Sequence, residues 1–258
     1  MNNTNAQSIF VARPPSFGKS IFLNMLQLIC RGNESRELFV GTEIYRSNYS
    51  WPKYSVLYFD FGDLNYQRRQ FEDDLMRLLI EMQNKYHIRP RLSLHTTELS
   101  NLIQQIDLGR QREVVVLVDN YDAPITRCLP EDPDTAAENY RLVREFLECL
   151  QSLDVYLRLS FVTGVSRFPM NKKSPALGQF KDLTLQEEYA AVMGFTEDEL
   201  ETYFRDYLDT NGLKDLLQEK YFGYQFSNKT LRLCSILYSV ARVLKWISSL
   251  QRHQRNTF

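Results

Sequence analysis

Five consecutive apolar residues, Val114-Val-Val-Leu-Val118, constrain this fold more than any other stretch. A strand with no polar alternation has no face to offer water, so it must be covered on both sides, as in a parallel sheet clothed by helices. It ends on Asp119-Asn120-Tyr121-Asp122, which gathers polar chemistry at one tip. Further β-rich runs lie at residues 9–12, 54–61 and 155–163. Helical spacing follows Ser20, recurs over 67–86 through Phe71, Leu75, Leu78, Leu79 and Met82, and returns over 94–108 and 135–153. Strands alternating with helices predict a doubly wound α/β domain with a mostly parallel sheet over residues 1–190.

The pattern changes near Gly194. Thr196 followed three residues later by Glu199 is a capping signature, and a helix to about Leu208 should follow. Helices are also expected over 213–221 and 231–250. With no strong strand pattern there, residues 191–258 read as a smaller helical subdomain that closes over a ligand. Residues 171–179, with Lys172, Lys173, Ser174, Pro175 and Gly178, read as a mobile loop.

Composition bounds the function. At 43% hydrophobic, 24% charged and net −1, the chain is an ordinary globular protein with no global charge that calls for nucleic acid or membrane. The charge is uneven, since residues 220–258 hold seven Lys or Arg and no acidic residue. Such a segment is either a solvated helix face or a contact for nucleic acid or an acidic partner. Cys30, Cys128, Cys149 and Cys234 show no metal-ligand spacing, and His87, His95 and His253 form no catalytic pattern. The first eight residues are unlike a signal peptide. Arg232, Arg242 and Lys245 interrupt the apolar stretch at 230–250, which suits an amphipathic helix better than a span. An intracellular, cytoplasmic protein that does not enter membranes is the expectation.

Near the start, the first apolar strand runs through Arg13-Pro-Pro-Ser-Phe-Gly-Lys-Ser20 into an apolar helix. Strand, loop, Gly-Lys-Ser, helix is the context of a phosphate-binding loop, or Walker A motif. First-turn N–H groups have no acceptor within the helix, so those of Gly18, Lys19, Ser20 and Ile21 can cradle phosphate oxygens. Lys19 would reach the β- and γ-phosphates, and Ser20 would hold Mg²⁺. The complementary Walker B carboxylate, also a Mg²⁺ ligand, is Asp119, expected at the end of a neighbouring buried strand. The loop departs from the general pattern in having Arg13 where glycine is usual, with Pro14 and Pro15 after it.

These segments resemble the AAA-ATPase-like family of P-loop NTPase proteins, which are often fused to a nuclease-like domain. Residues 13–20 are similar to the family's Arg-Pro-Arg-Arg-Phe-Gly-Lys-Ser loop. Residues 116–125 resemble its hydrophobic-Asp-Glu-Tyr-Asp-x-Pro-Ile signature, and 161–168 its Thr-Gly-Val-Ser-Arg-Phe strand end. The segments 181–185, 194–199 and 221–226 follow the family order. The resemblance implies a P-loop NTPase-like fold, ATP and Mg²⁺ as ligands, and cofactor contacts from Arg13, Phe17, Gly18, Lys19, Ser20, Ile21 and Thr163. Asn120, Asp122 and Arg167 take the catalytic positions.

The departures from the family point to weak or absent hydrolysis. The water-activating glutamate is Asn120 here, and an amide can hydrogen-bond a water but cannot take its proton. Pro15 and Ser16 replace two arginines. Asp122 either stands in for the lost carboxylate or caps the turn before Pro124. Thr163 either senses the γ-phosphate or serves the turn at Gly164, and Arg167 either acts as an internal arginine finger or makes a surface ion pair. The leading expectation is an ATP-binding domain, possible as a slow ATPase or a pseudo-ATPase. The competing one is a nucleotide-free scaffold that meets an unknown protein partner, or nucleic acid through the basic C-terminal segment.

Overall fold

The structure, a computed structural model, describes residues 7–67, 70–108, 113–168, 180–208, 223–227 and 233–235. In chain order the elements are β1 (Gln7–Ala12), α1 (Lys19–Cys30), α2 (Glu43–Arg46), β2 (Ser55–Asp60), α3 (Gln70–Lys85), α4 (His95–Asp107), β3 (Val114–Asp119), α5 (Ala123–Thr126), α6 (Pro133–Ser152), β4 (Leu157–Gly164), β5 (Lys181–Asp182), β6 (Phe195–Thr196), α7 (Glu197–Leu208), β7 (Tyr224–Gln225) and β8 (Leu233–Ser235). They divide between two compact units, Met1–Ala12 with Leu23–Lys181, and Arg13–Phe22 with Asp182–Phe258.

In the first unit every residue of β3 is buried, as its run of valines requires. The strand order is β2-β3-β4-β1-β5. The β2–β3, β3–β4 and β1–β4 ladders are all parallel, with Phe59 opposite Val118, Leu117 opposite Phe161 and Ala12 opposite Gly164. Strand β4 therefore stands between β1 and β3. The strand carrying Asp119 is not the immediate neighbour of β1, as the sequence reading had it. Non-local pairing decides this, and no local pattern records it.

Alternation assigns the two faces of β3. Val114, Val116 and Val118 join Leu57, Phe59 and Phe61 of β2 in one core, filled by Leu75 and Leu79 of α3, Leu102 and Ile103 of α4, and Phe146 and Leu150 of α6. The rings of Phe59 and Phe61 meet Phe146 edge-on at 5.1 and 5.3 Å, an arrangement that stabilises beyond area burial alone. Val115, Leu117 and Asp119 point to the other face, where Leu26, Ile29 and Cys30 of α1 line a cavity of about 200 Å³ with Val115 and Leu159. Helix α6 starts two residues earlier than the spacing suggested. Pro133 opens it, and the Asp132 carboxylate caps it by accepting from the Thr135 N–H at 3.0 Å and the Thr135 hydroxyl at 2.7 Å.

The second unit is not purely helical. Its β6, β8 and β7 form an antiparallel sheet, Phe195 pairing with Ser235 and Tyr224 with Cys234. β8 lies inside the stretch expected to be a helix from 231. Strands of two and three residues carry too little periodicity to be told from a helix. The capping box, by contrast, forms as read: Thr196 N–H donates to Glu199 Oε2 at 2.8 Å, and Glu199 N–H to Thr196 Oγ1 at 3.3 Å. The helix expected at 213–221, the loop at 171–179 and most of the basic segment 220–258 lie outside the described residues. Among the described residues no helix is long and apolar enough to cross a membrane.

His95, at the start of α4, is 2% exposed, and neither ring nitrogen has a hydrogen-bond partner. Glu72 Oε1 is 3.8 Å from Nδ1. Burial lowers the imidazole pKa, and the Glu72 carboxylate only partly opposes it. The folded chain thus holds His95 neutral while the unfolded chain takes up a proton near pH 6.5. Stability should be full above that pH and fall as pH drops from about 7 toward 5. Replacing His95 by Phe should flatten the pH dependence of the urea midpoint in that window. An unchanged dependence would assign it to another group.

Candidate functional site

The loop between β1 and α1 is held by its own side chains. Arg13 is fully buried. Its Nε donates to Val192 O at 3.1 Å, Nη1 to Thr184 O at 2.9 Å and Nη2 to Tyr189 O at 2.9 Å, while the guanidinium lies 4.1 Å from the Phe226 ring centroid. A buried guanidinium needs such a set of acceptors, since an unpaired one would cost several kcal/mol. Its side chain is committed to carbonyls and anchors the loop. Phe17 is a second anchor. Its ring is fully buried against Phe226 and Ala190, with Tyr224 edge-on at 4.9 Å, and its carbonyl accepts from Gly194 N–H at 2.9 Å.

Between these anchors the chain turns into α1. Phe22 N–H donates to Gly18 O at 2.9 Å, so Gly18 starts the helical ladder and the N–H groups of Ser20 and Ile21 have no acceptor within it. Ser20 is exposed. Lys19 is 6% exposed, and its Nζ donates to Arg13 O at 3.1 Å and Pro14 O at 3.0 Å. The ammonium is thus buried within its own loop against neutral carbonyls. A phosphate in their place would add opposite charge and shorter, stronger hydrogen bonds.

The first unit gathers the other candidates at the carboxyl ends of β3 and β4. Asp119 is fully buried; Oδ1 accepts from Asn120 N–H at 2.9 Å and Oδ2 from the Tyr58 hydroxyl at 3.3 Å. Burial and the neighbouring carboxylates of Asp119 and Asp60 push the Tyr58 phenol up, which keeps it a donor. Asn120 Nδ2 donates to Asp60 Oδ1 at 2.9 Å. A hydroxyl and a carboxylate are hard oxygen donors, the kind Mg²⁺ takes with one or two protein ligands and substrate phosphates. Ser20 and Asp119 fit that chemistry.

Asp122 and Thr163 both make hydrogen bonds within the first unit. Asp122 Oδ2 accepts from Ser166 N–H at 2.6 Å and from Val165 N–H at 3.1 Å, so its carboxylate caps the turn after β4. The Tyr121 hydroxyl donates to Ser166 O at 2.8 Å and accepts from Phe168 N–H at 3.2 Å. The two sequence signatures, 116–125 and 161–168, thus clasp one another, and the clasp shapes the turn that carries exposed Arg167. Thr163 Oγ1 gives its proton to Val11 O at 2.8 Å. With that donor spent it presents only lone pairs, which a phosphate oxygen would not seek.

Sequence reasoning missed Asp60, Tyr58 and the role of Tyr121. Their partners come from strands distant in sequence. A signal existed for Asp60, since β2, like β3, ends an apolar run on an aspartate. Gly164 is required for space: a Cβ there would collide with the Asp122 carboxylate and stand 2.6 Å from the Tyr121 ring. Gly164→Ala should therefore cost about 1–3 kcal/mol, read as a lower urea midpoint. A midpoint equal to wild type would show that the clasp is soft.

Two comparisons bear on this arrangement. The profile of the AAA-ATPase_like family, described as "Predicted AAA-ATPase", matches residues 2–173. A protein from Azotobacter chroococcum mcd 1, described as an uncharacterized protein in the vnfD 5′ region, is 28% identical over 225 residues, covering 86% of this chain and 42% of its own length. The chain thus spans less than half of that relative. With a parallel sheet, a Gly-Lys-Ser loop opening α1 and an aspartate closing β3, the chain belongs to the AAA-ATPase-like family.

Proposed function

We propose that the chain binds a magnesium nucleoside triphosphate, ATP by the habit of its family, and turns it over slowly. The observation that carries this reading is the Lys19 ammonium buried within the loop that opens α1, resting on carbonyls. Lys19 binds the β- and γ-phosphates, the N–H groups of Ser20 and Ile21 hold phosphate oxygens, and Ser20 with Asp119 would hold Mg²⁺. Bound Mg²⁺ neutralises phosphate charge and polarises the γ-phosphoryl group. The Asp119 carboxylate at the end of β3 and the Ser20 hydroxyl both offer the hard oxygen that Mg²⁺ prefers. Arg167, on the clasped turn, supplies positive charge to the phosphates. Arg13, Phe17, Asp122 and Thr163 act as positioning residues. The amide at Asn120 makes hydrolysis slow.

A second reading, a nucleotide-free scaffold for a protein partner, is favoured by the same lysine contacts. A loop stiffened by Pro14 and Pro15, with its cation already paired to carbonyls, can persist without a ligand. Millimolar Mg-ATP separates the two. A ligand at 100 times its Kd stabilises by about 2.7 kcal/mol, so wild type should melt several degrees higher with Mg-ATP, and Lys19→Ala should lose that gain. A wild-type chain with no gain, and no uptake of labelled nucleotide in dialysis, leaves the scaffold reading standing.

A further inference from the structure

Asp60 closes β2 and lies in register with Asp119 across the β2–β3 ladder, where neighbouring strands run about 4.8 Å apart. Phe59, Phe61 and Val118 fill the opposite core, so Tyr58, Asp60 and Asp119 share the face that α1 covers. One oxygen anchors the Asp60 carboxylate: Oδ1 accepts from Gly62 N–H at 2.8 Å and from Asn120 Nδ2 at 2.9 Å. The other, Oδ2, has no hydrogen bond among the described residues, and the residue is half-buried. A Cβ on Gly62 would stand 3.0 Å from both Asn120 Nδ2 and Asp60 Oδ1, so the pair is closely packed on that side.

Asn120 is fixed by two constraints. Its φ is +52°, in the left-handed region that asparagine tolerates better than most side chains. Its amide also faces a carboxylate to which it can donate. A glutamate at 120 would meet backbone strain and like-charge repulsion from Asp60. The negative charge absent from position 120 is present one strand away, joined to it by a hydrogen bond.

We propose that Asp60 carries the water-activating role for nucleotide hydrolysis, with Asn120 as the link that aims it. This rests on the nucleotide reading above. A water held by Asn120 Oδ1 and Asp60 Oδ2 gives its proton to Oδ2 as its oxygen bonds to the γ-phosphorus. The bond from that phosphorus to the β–γ bridging oxygen breaks, and its electron pair leaves with the nucleoside diphosphate. The proton on Oδ2 then passes to the released phosphate.

The test uses the full chain, Mg-ATP melting for binding, and single-turnover release of labelled phosphate for the step. Asp60→Asn keeps an oxygen that can accept from Gly62 and Asn120, so it removes charge with little change of shape. It should keep the Mg-ATP stabilisation and the KM, and slow phosphate release by roughly tenfold or more. The exchange Asp60→Asn with Asn120→Asp returns the charge at a position whose φ aspartate also tolerates, and should recover most of the rate. A purely structural role would not produce that recovery. Wild-type release from Asp60→Asn, or a double variant no faster than Asp60→Asn, would overturn the inference alone; a wild type that binds Mg-ATP but releases no phosphate would overturn it together with slow turnover, leaving nucleotide binding standing. A wild type that Mg-ATP does not stabilise overturns the nucleotide reading, and this inference with it.

Discussion

Burial of β3 on both faces governs the rest of the first unit. Six consecutive residues without solvent contact oblige helices to cover both sides of the sheet, and the long helices α3, α4 and α6 fill one side completely. Polar side chains within the sheet must then be paired, as Ser8 and Ser160 are at 2.7 Å, because an unpaired one there would cost more than a typical hydrogen bond returns. Carboxylates collect where the parallel strands end, and there backbone N–H groups become available as the ladder stops. Asp60, Asp119 and Asp122 each accept at least one such N–H. The carboxyl edge is both the terminus of the hydrogen-bond pattern and the place where charge can be kept.

Both units pair charged side chains with backbone groups. In the first, Asp119 and Asp122 accept from backbone N–H groups; in the second, Arg13 and Lys19 donate to backbone carbonyls. Arg13 takes three carbonyls through its planar fork, which suits a permanently charged group with five donors. Lys19 takes two through a single ammonium. The difference matters for binding, because a compact ammonium can change partners by rotation of a flexible stem, whereas a guanidinium locked in three directions cannot. The loop therefore combines a fixed anchor and a movable charge within seven residues of chain.

The strands of the first unit were legible because their apolar runs are long and bounded, and its helices because Phe71, Leu75 and Leu79 repeat at helical spacing. The capping box at Thr196 and Glu199 was legible because it is wholly local. What escaped was set by distant pairing. Strand β4 separates β1 from β3 for reasons no window of sequence contains, and β8 is a strand only because two other short strands flank it. At the site, the partners of Arg13 and Phe17 were not legible, because they lie far along the chain at Thr184, Tyr189, Val192, Ala190 and Phe226. Asp60 was passed over because its meaning depends on standing in register with Asp119.

The adjacent prolines in the loop have a consequence for how any anion would be held. Neither Pro14 nor Pro15 carries an N–H, so the arch leaving β1 cannot grip from the strand side over those two residues. Donors begin again at Ser16 and concentrate in the first turn of α1. An anion there would meet its backbone donors on the helix side alone, at the first turn of α1.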